Sequence, residues 1–205
     1  MSVNYIIEAD VIDIRVDQPK PDDIFLVDTN VWYWLTYSRA SIAPTPPKSH
    51  QTSHYPNYIA KAMSAGSKLL WSGLSLSELA HIIEKTEREI FSQTISSKAF
   101  RHNHSSERAN VISEIQSVWG QVKSMANPLE NFNIDNLRTD EALSRICSSK
   151  LDGYDAFIVN SLLNEGIVKV ITDDGDYTTV PGLQVYTANY NVIRSSTTQG
   201  KVMAR

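Results

Sequence analysis

Four short, largely apolar runs constrain this chain more than any other feature: Ile24-Phe25-Leu26-Val27, Lys68-Leu69-Leu70-Trp71, Ile167-Val168-Lys169-Val170-Ile171 and Leu183-Gln184-Val185-Tyr186. Each has the length and β-propensity of a strand buried in a sheet. The segments between them are long and mostly helical in pattern. Strands joined by helical crossovers must run parallel, with the helices packed on the faces of the sheet. The expected fold is therefore α/β, a three-layer sandwich whose central, mostly parallel sheet is flanked by helices.

The remaining elements follow from local periodicity. Asp28-Thr29-Asn30 turns the first run into a helix over Val31 to Tyr37, and a second helix is expected from Tyr58 to Ser67. Ser75-Leu76-Ser77-Glu78 opens a helix carrying Leu79, Ile82 and Ile83. Val111, Ile115, Val118, Val122 and Met125 recur at three- and four-residue steps, giving a long helix one apolar face that packs on the body or on a second subunit in a homodimer. Shorter helices are expected near Thr139 to Ser149 and Gly153 to Asn164. Ile12, Ile14 and Val16 alternate with Asp13, Arg15 and Asp17, which adds a strand to an N-terminal extension over residues 1–23. Pro44, Pro46, Pro47 and Pro56 make residues 39–58 a loop within the main domain, residues 24–190, in which residues 84–125 are expected to form a helical insert. The polar tail, residues 191–205, is expected to fray.

Composition narrows the function. A length of 205 residues with 41% hydrophobic content supports one core. One cysteine, Cys147, rules out an internal disulfide framework, no long apolar run occurs, and no secretory leader is expected, since Glu8, Asp10 and Asp13 interrupt the apolar residues at the start. A cytoplasmic protein without membrane contact is expected. The net charge of -4 means that a polyanion must be held by local patches or by bound metal. No P-loop or dinucleotide glycine pattern is present.

In open parallel sheets, ligands collect beyond the carboxyl ends of the strands. Asp28 follows the first run there, and Asp173, Asp174 and Asp176 follow the third run and Thr172. Glu78 and Asp155 open two helices that can face the same crevice. Clustered carboxylates raise one another's pKa, and a divalent cation relieves this. Oxygen ligands suit Mg²⁺ or Mn²⁺, which activates a water and neutralises charge on a transferring phosphoryl group. Taken singly, each acid has another reading: Asp28 as a helix cap, Glu78 in a capping box with Ser75, Asp155 on a solvated helix face, Asp173 to Asp176 as an acidic turn.

Taken together, these segments resemble the PIN domains. Ile-Phe-Leu-Val-Asp-Thr-Asn-Val-Trp from Ile24 to Trp32 looks like the family's opening strand and first acid, Asp28, with Thr29 and Asn30 beside it. Leu74 to Ala80 resembles the Ser-Glu-Leu segment carrying the second acid, Glu78, and Tyr154-Asp155-Ala156-Phe157-Ile158 the third motif. Val170 to Tyr177 resembles the last, placing Asp174 ahead of Asp176 as ligand and both ahead of Asp173. The resemblance implies a Mg²⁺- or Mn²⁺-dependent ribonuclease with catalytic Asp28, Glu78, Asp155 and Asp174, with Asp176 as a further metal ligand and Thr29, Asn30 and Thr172 near the RNA substrate. Many small bacterial members are toxins held by an antitoxin. The N-terminal extension, the proline-rich segment and the helical insert depart from the compact family pattern.

Two basic groups, Lys48, His50, His54 and Lys61, and Arg101, His102, His104 and Arg108, can approach an RNA backbone or be solvated. Tyr33 or Trp34 can stack on a base. The competing functions are a non-catalytic scaffold of the same fold and a phosphatase. Asp28-Thr29-Asn30 lacks the second Asp that the haloacid-dehalogenase pattern requires.

Overall fold

A computed structural model describes residues 3–205. Six strands form one parallel sheet: β1 (Asp10–Asp13), β2 (Ile24–Val27), β3 (Lys68–Trp71), β4 (Asn127–Pro128), β5 (Lys169–Ile171) and β6 (Gln184–Thr187), in the order β1-β6-β5-β2-β3-β4. Period-two alternation splits the core. Phe25, Val27, Leu69, Ile171 and Tyr186 face α1 (Thr29–Thr36), α2 (Ser49–Ala65), α3 (Ser75–Phe91) and α5 (Ser105–Met125). Leu26, Leu70, Val170 and Val185 face α6 (Asn136–Ser148), α7 (Gly153–Asn164) and α8 (Tyr190–Thr198). The expected three-layer α/β sandwich is the fold.

Strand order fixes the crevice. From β2 the chain moves to one side through β3 and β4, then returns to place β5 on the other side. The carboxyl ends of β2 and β5 thus flank a topological switch point, where adjacent connections leave toward opposite faces and a gap opens.

Several local expectations are corrected. The proline-rich segment is not a loop throughout: α2 begins at Ser49 and runs through Pro56. Proline forfeits one backbone hydrogen bond, but burial of Tyr55, Tyr58, Ile59 and Ala62 on the sheet offsets it. Gly66, at φ 82°, then stops the helix in a left-handed cap. The strand in the N-terminal extension ends at Asp13, and Val16 is exposed. The two-residue edge strand β4 has no apolar signal and exists only through pairing with Leu70 and Trp71. In the insert, α4 (Ser97–Asn103) precedes α5, and Val111, Val118 and Val122 are buried within this one chain. That stripe therefore gives no surface for the expected dimer. Arg101 and Arg108 both pair with Glu84 on α3 and so tie the insert to that helix.

The tail does not fray. Asn189 caps α8, Val202 bridges to Val11, and Arg205 reaches Asp17 and Asp23 at 2.8 and 2.6 Å while its guanidinium lies 4.7 Å from the Tyr186 ring centroid. Lys169 also pairs with Asp23. Burial opposes ionisation of Asp23, yet hydrogen bonds from Arg205 and Lys169 hold its carboxyl well below the usual range. A carboxylate with a depressed native pKa stabilises above its unfolded pKa of about 4 and loses that contribution as pH falls through the native value. Arg205→Ala strands the buried Asp17 and leaves Asp23 to Lys169 alone, so we expect a loss of about 3 kcal/mol at pH 7 by urea denaturation. The deficit should shrink below about pH 4, where the acids of the unfolded chain protonate.

Candidate active site

The switch-point crevice gathers acids from four elements. Asp28 stands at the N-cap position of α1 with extended backbone, yet its side chain makes no capping hydrogen bond. Its Oδ2 instead accepts a hydrogen bond from the Thr172 hydroxyl at 2.7 Å. The same Thr172 oxygen accepts from the Asp174 amide at 2.9 Å, so one buried hydroxyl ties the end of β2 to the turn after β5. Asp174 in turn accepts from the Asp176 amide at 2.8 Å and caps the short 3-10 turn Gly175–Thr179.

Glu78 and Asp155 enter from opposite helical layers. The capping box expected for Ser75 and Glu78 does not form: Leu74 holds the N-cap position, and the Ser75 hydroxyl accepts from the Ser72 amide at 3.2 Å. Glu78 Oε2 accepts from Thr29 Oγ1 at 2.5 Å. Asp155 is buried rather than solvated, and its Oδ1 accepts from the Tyr177 hydroxyl at 2.5 Å. Thr29 and Thr172, expected beside the substrate, are instead buried with their hydroxyls spent on Glu78 and Asp28, so they aim the acids. Asn30 is exposed.

Burial pushes Asp28 up to about 7, opposed by the Thr172 hydroxyl and reinforced by the charges of Asp174 and Glu78. Asp155 is raised further, first by burial and then by Asp28. Glu78 and Asp174 rise chiefly through burial as well, and Asp176, at the margin, through burial and Asp174.

Two residues were missed from sequence. Asp152 caps α7 through the Asp155 amide at 3.0 Å, and its charge raises Glu78, Asp155, Asp174 and Asp176. Its signal was present, an acid just before a helix, but only as a cap. Tyr177 was visible as an aromatic in the last motif, whereas its aim at Asp155 depends on folding. Asp173 is drawn away from the crevice, accepting from Tyr55 and Gln51 at 2.7 and 2.8 Å and standing 3.3 Å from His50. Tyr33 spends its hydroxyl on Thr86, and Trp34 packs on Tyr55.

Among the described residues, no three His, Cys, Asp or Glu side chains stand as a ready coordination shell. The donor set nonetheless suits a hard cation that keeps several waters and touches few carboxylates directly, as Mg²⁺ does. No described helix is long and apolar enough to cross a membrane.

No family model matches the chain, and no curated protein matches it. Among solved structures it is similar to the crystal structure of PAE2754 from Pyrobaculum aerophilum, with 17% identity over 90% of this chain and 96% of that one and a TM-score of 0.44. A likeness that loose carries no argument about function.

An acid whose native pKa is raised binds its proton more tightly when folded, so stability falls as pH climbs from the unfolded pKa of about 4 through the native value. In EDTA, Asp28→Asn should therefore raise Tm at pH 8 by about 4–8 °C, the shift that about 2 kcal/mol produces in a chain of this size. The gain should fade toward pH 4, and calorimetry across that range measures it. A pure capping role predicts no pH dependence of the difference.

Proposed function

We propose that this chain is a divalent-metal-dependent endoribonuclease of PIN type, hydrolysing RNA phosphodiester bonds with Mg²⁺ or Mn²⁺ held by Asp28, Glu78, Asp155 and Asp174, with Asp176 at the margin. One observation carries the reading. Among the described residues six acids are buried: Asp17, Asp23, Asp28, Glu84, Glu87 and Asp155. Four of these, Asp17, Asp23, Glu84 and Glu87, each meet an arginine. Asp28 and Asp155 have no basic partner among the described residues, and Glu78 and Asp174 beside them have none either. Burying carboxylates without a countercharge is costly. A fold that neutralises its other buried acids and leaves these together is suited to a cation from solution.

Such a cation, when bound, supplies a water of lowered pKa and charge neutralisation at the phosphate. The chain supplies orientation. Thr172 holds Asp28 against the Asp174 turn, Thr29 aims Glu78, and Tyr177 aims Asp155. An anionic protein facing a polyanion also gains from a bound cation as the local point of attraction. The choice of RNA, and a toxin role with an antitoxin partner, rest on the sequence resemblance alone.

The scaffold reading is favoured by a separate observation, the lack of a ready coordination shell among the described residues. One experiment separates the two. With fluorescent single-stranded RNA and Mn²⁺, the parent should cleave, and Asp28→Asn should lose about a hundredfold or more, the scale of removing one preorganised electrostatic contact. Saturating Mn²⁺ should raise the parent's Tm, by about 2.7 kcal/mol of stabilisation at a hundred times Kd, and leave Asp28→Asn unmoved. A parent that neither cleaves nor responds to Mn²⁺ is a scaffold. A variant that cleaves like its parent removes Asp28 from the centre.

A further inference from the structure

Next to the acids lies an apolar slot that the chemistry above does not use. It is a cavity of about 420 Å³ lined by Leu74, Ile134, Asp152, Gly153, Tyr154 and Phe157. Tyr154 and Ile134 are more than half exposed, although both are large and apolar in body. Nothing stands within 4 Å of where a Cβ on Gly153 would be, so the slot is open to a flat ligand over the start of α7. Its volume falls in the range of small-molecule sites.

The slot shares Asp152 and the starts of two helices with the acid crevice. Asp152 lines it, and its charge adds to burial in raising Glu78, Asp155 and Asp174. Leu74 lines it from the N-cap position of the helix that carries Glu78, and Tyr154 directly precedes Asp155. A chain of nucleotides with one phosphate at the acids would therefore lay a neighbouring base here. Asp152 is the one charged group in an otherwise apolar or aromatic lining. One of its oxygens accepts from the Asp155 amide, which leaves the other as a hydrogen-bond acceptor.

We infer that this slot is a nucleobase subsite of the proposed nuclease, in which Tyr154 stacks on the base next to the scissile phosphate and Asp152 accepts from its exocyclic amino group. The inference rests on the nuclease reading. Unstacked bases of single-stranded RNA are held by aromatic faces, and an acidic side chain accepts from the amino group of cytosine. Where cytosine carries that amino group uracil carries a carbonyl oxygen, which meets the carboxylate oxygen with like polarity. The subsite thus prefers amino-bearing bases over uracil.

The test uses the full chain. With Asp28→Asn blocking cleavage, pentamers of cytidine, adenosine and uridine are titrated by fluorescence anisotropy, and the parent's cleavage of the same pentamers in Mn²⁺ is followed in parallel. Cytidine and adenosine pentamers should bind about tenfold more tightly than uridine. Adding Tyr154→Ala should weaken all three by about 5- to 100-fold, the range for loss of one stacked base. The exposed position and the helix propensity of alanine keep the fold. Adding Asp152→Asn instead should erase the preference, because asparagine still caps α7 and its amide can donate to uracil. If the parent cleaves but Tyr154→Ala changes neither affinity nor KM, the subsite is refuted and the nuclease stands, leaving the slot to a protein side chain. If the parent neither cleaves nor binds any pentamer, the nuclease reading fails and the subsite with it.

Discussion

The distribution of arginine partners among the buried acids organises this molecule. Away from the crevice, Arg205 spans Asp17 and Asp23, Arg39 meets Glu87, and Arg101 and Arg108 share Glu84. These pairs fasten the tail to the sheet and the helical insert to α3. In the crevice the acids meet hydroxyls instead. Thr172, Thr29 and Tyr177 donate to Asp28, Glu78 and Asp155. A hydroxyl orients a carboxylate without cancelling its charge, so the native state carries an electrostatic strain that its own side chains do not relieve.

Sheet topology puts that strain in one place. The reversal of strand order between β2 and β5 opens a gap at their carboxyl ends, and both strands deliver an acid there. The two helical layers then add Glu78 from one face and Asp155 from the other. Because the four groups come from four elements, their mutual distances depend on packing across the whole sandwich, and the buried Thr172 hydroxyl joins the two strand ends directly. The stability cost of the acids and their proposed use are then two aspects of one arrangement.

The parts legible in the sequence were those with strong local pattern. The four apolar runs became β2, β3, β5 and β6, and the helix over Gly153 to Asn164 lies where its residues predicted. What misled was composition read without context. Pro56 sits inside α2 because the buried face of that helix outweighs one lost hydrogen bond, and the polar tail is ordered because Arg205 finds two acids distant in sequence. The Ser75 and Glu78 spacing fits a capping box, yet Thr29 from a different helix claims the glutamate. β4 had no sequence signal, since two exposed residues join the sheet only where an existing edge receives them.

By itself, the sequence determined the parallel α/β architecture and the set of acids at strand and helix ends, because periodicity and residue type are local properties. Only the tertiary structure decided which acids were neutralised and which were not. Ion pairs and hydroxyl contacts such as Asp17 with Arg205, or Glu78 with Thr29, join residues far apart in the chain. The same holds for Asp152, a plain cap in the sequence, which folding places between the acids and the apolar slot at Tyr154. A carboxylate's pKa responds to burial and to charges through space, and neither is encoded in its immediate neighbours.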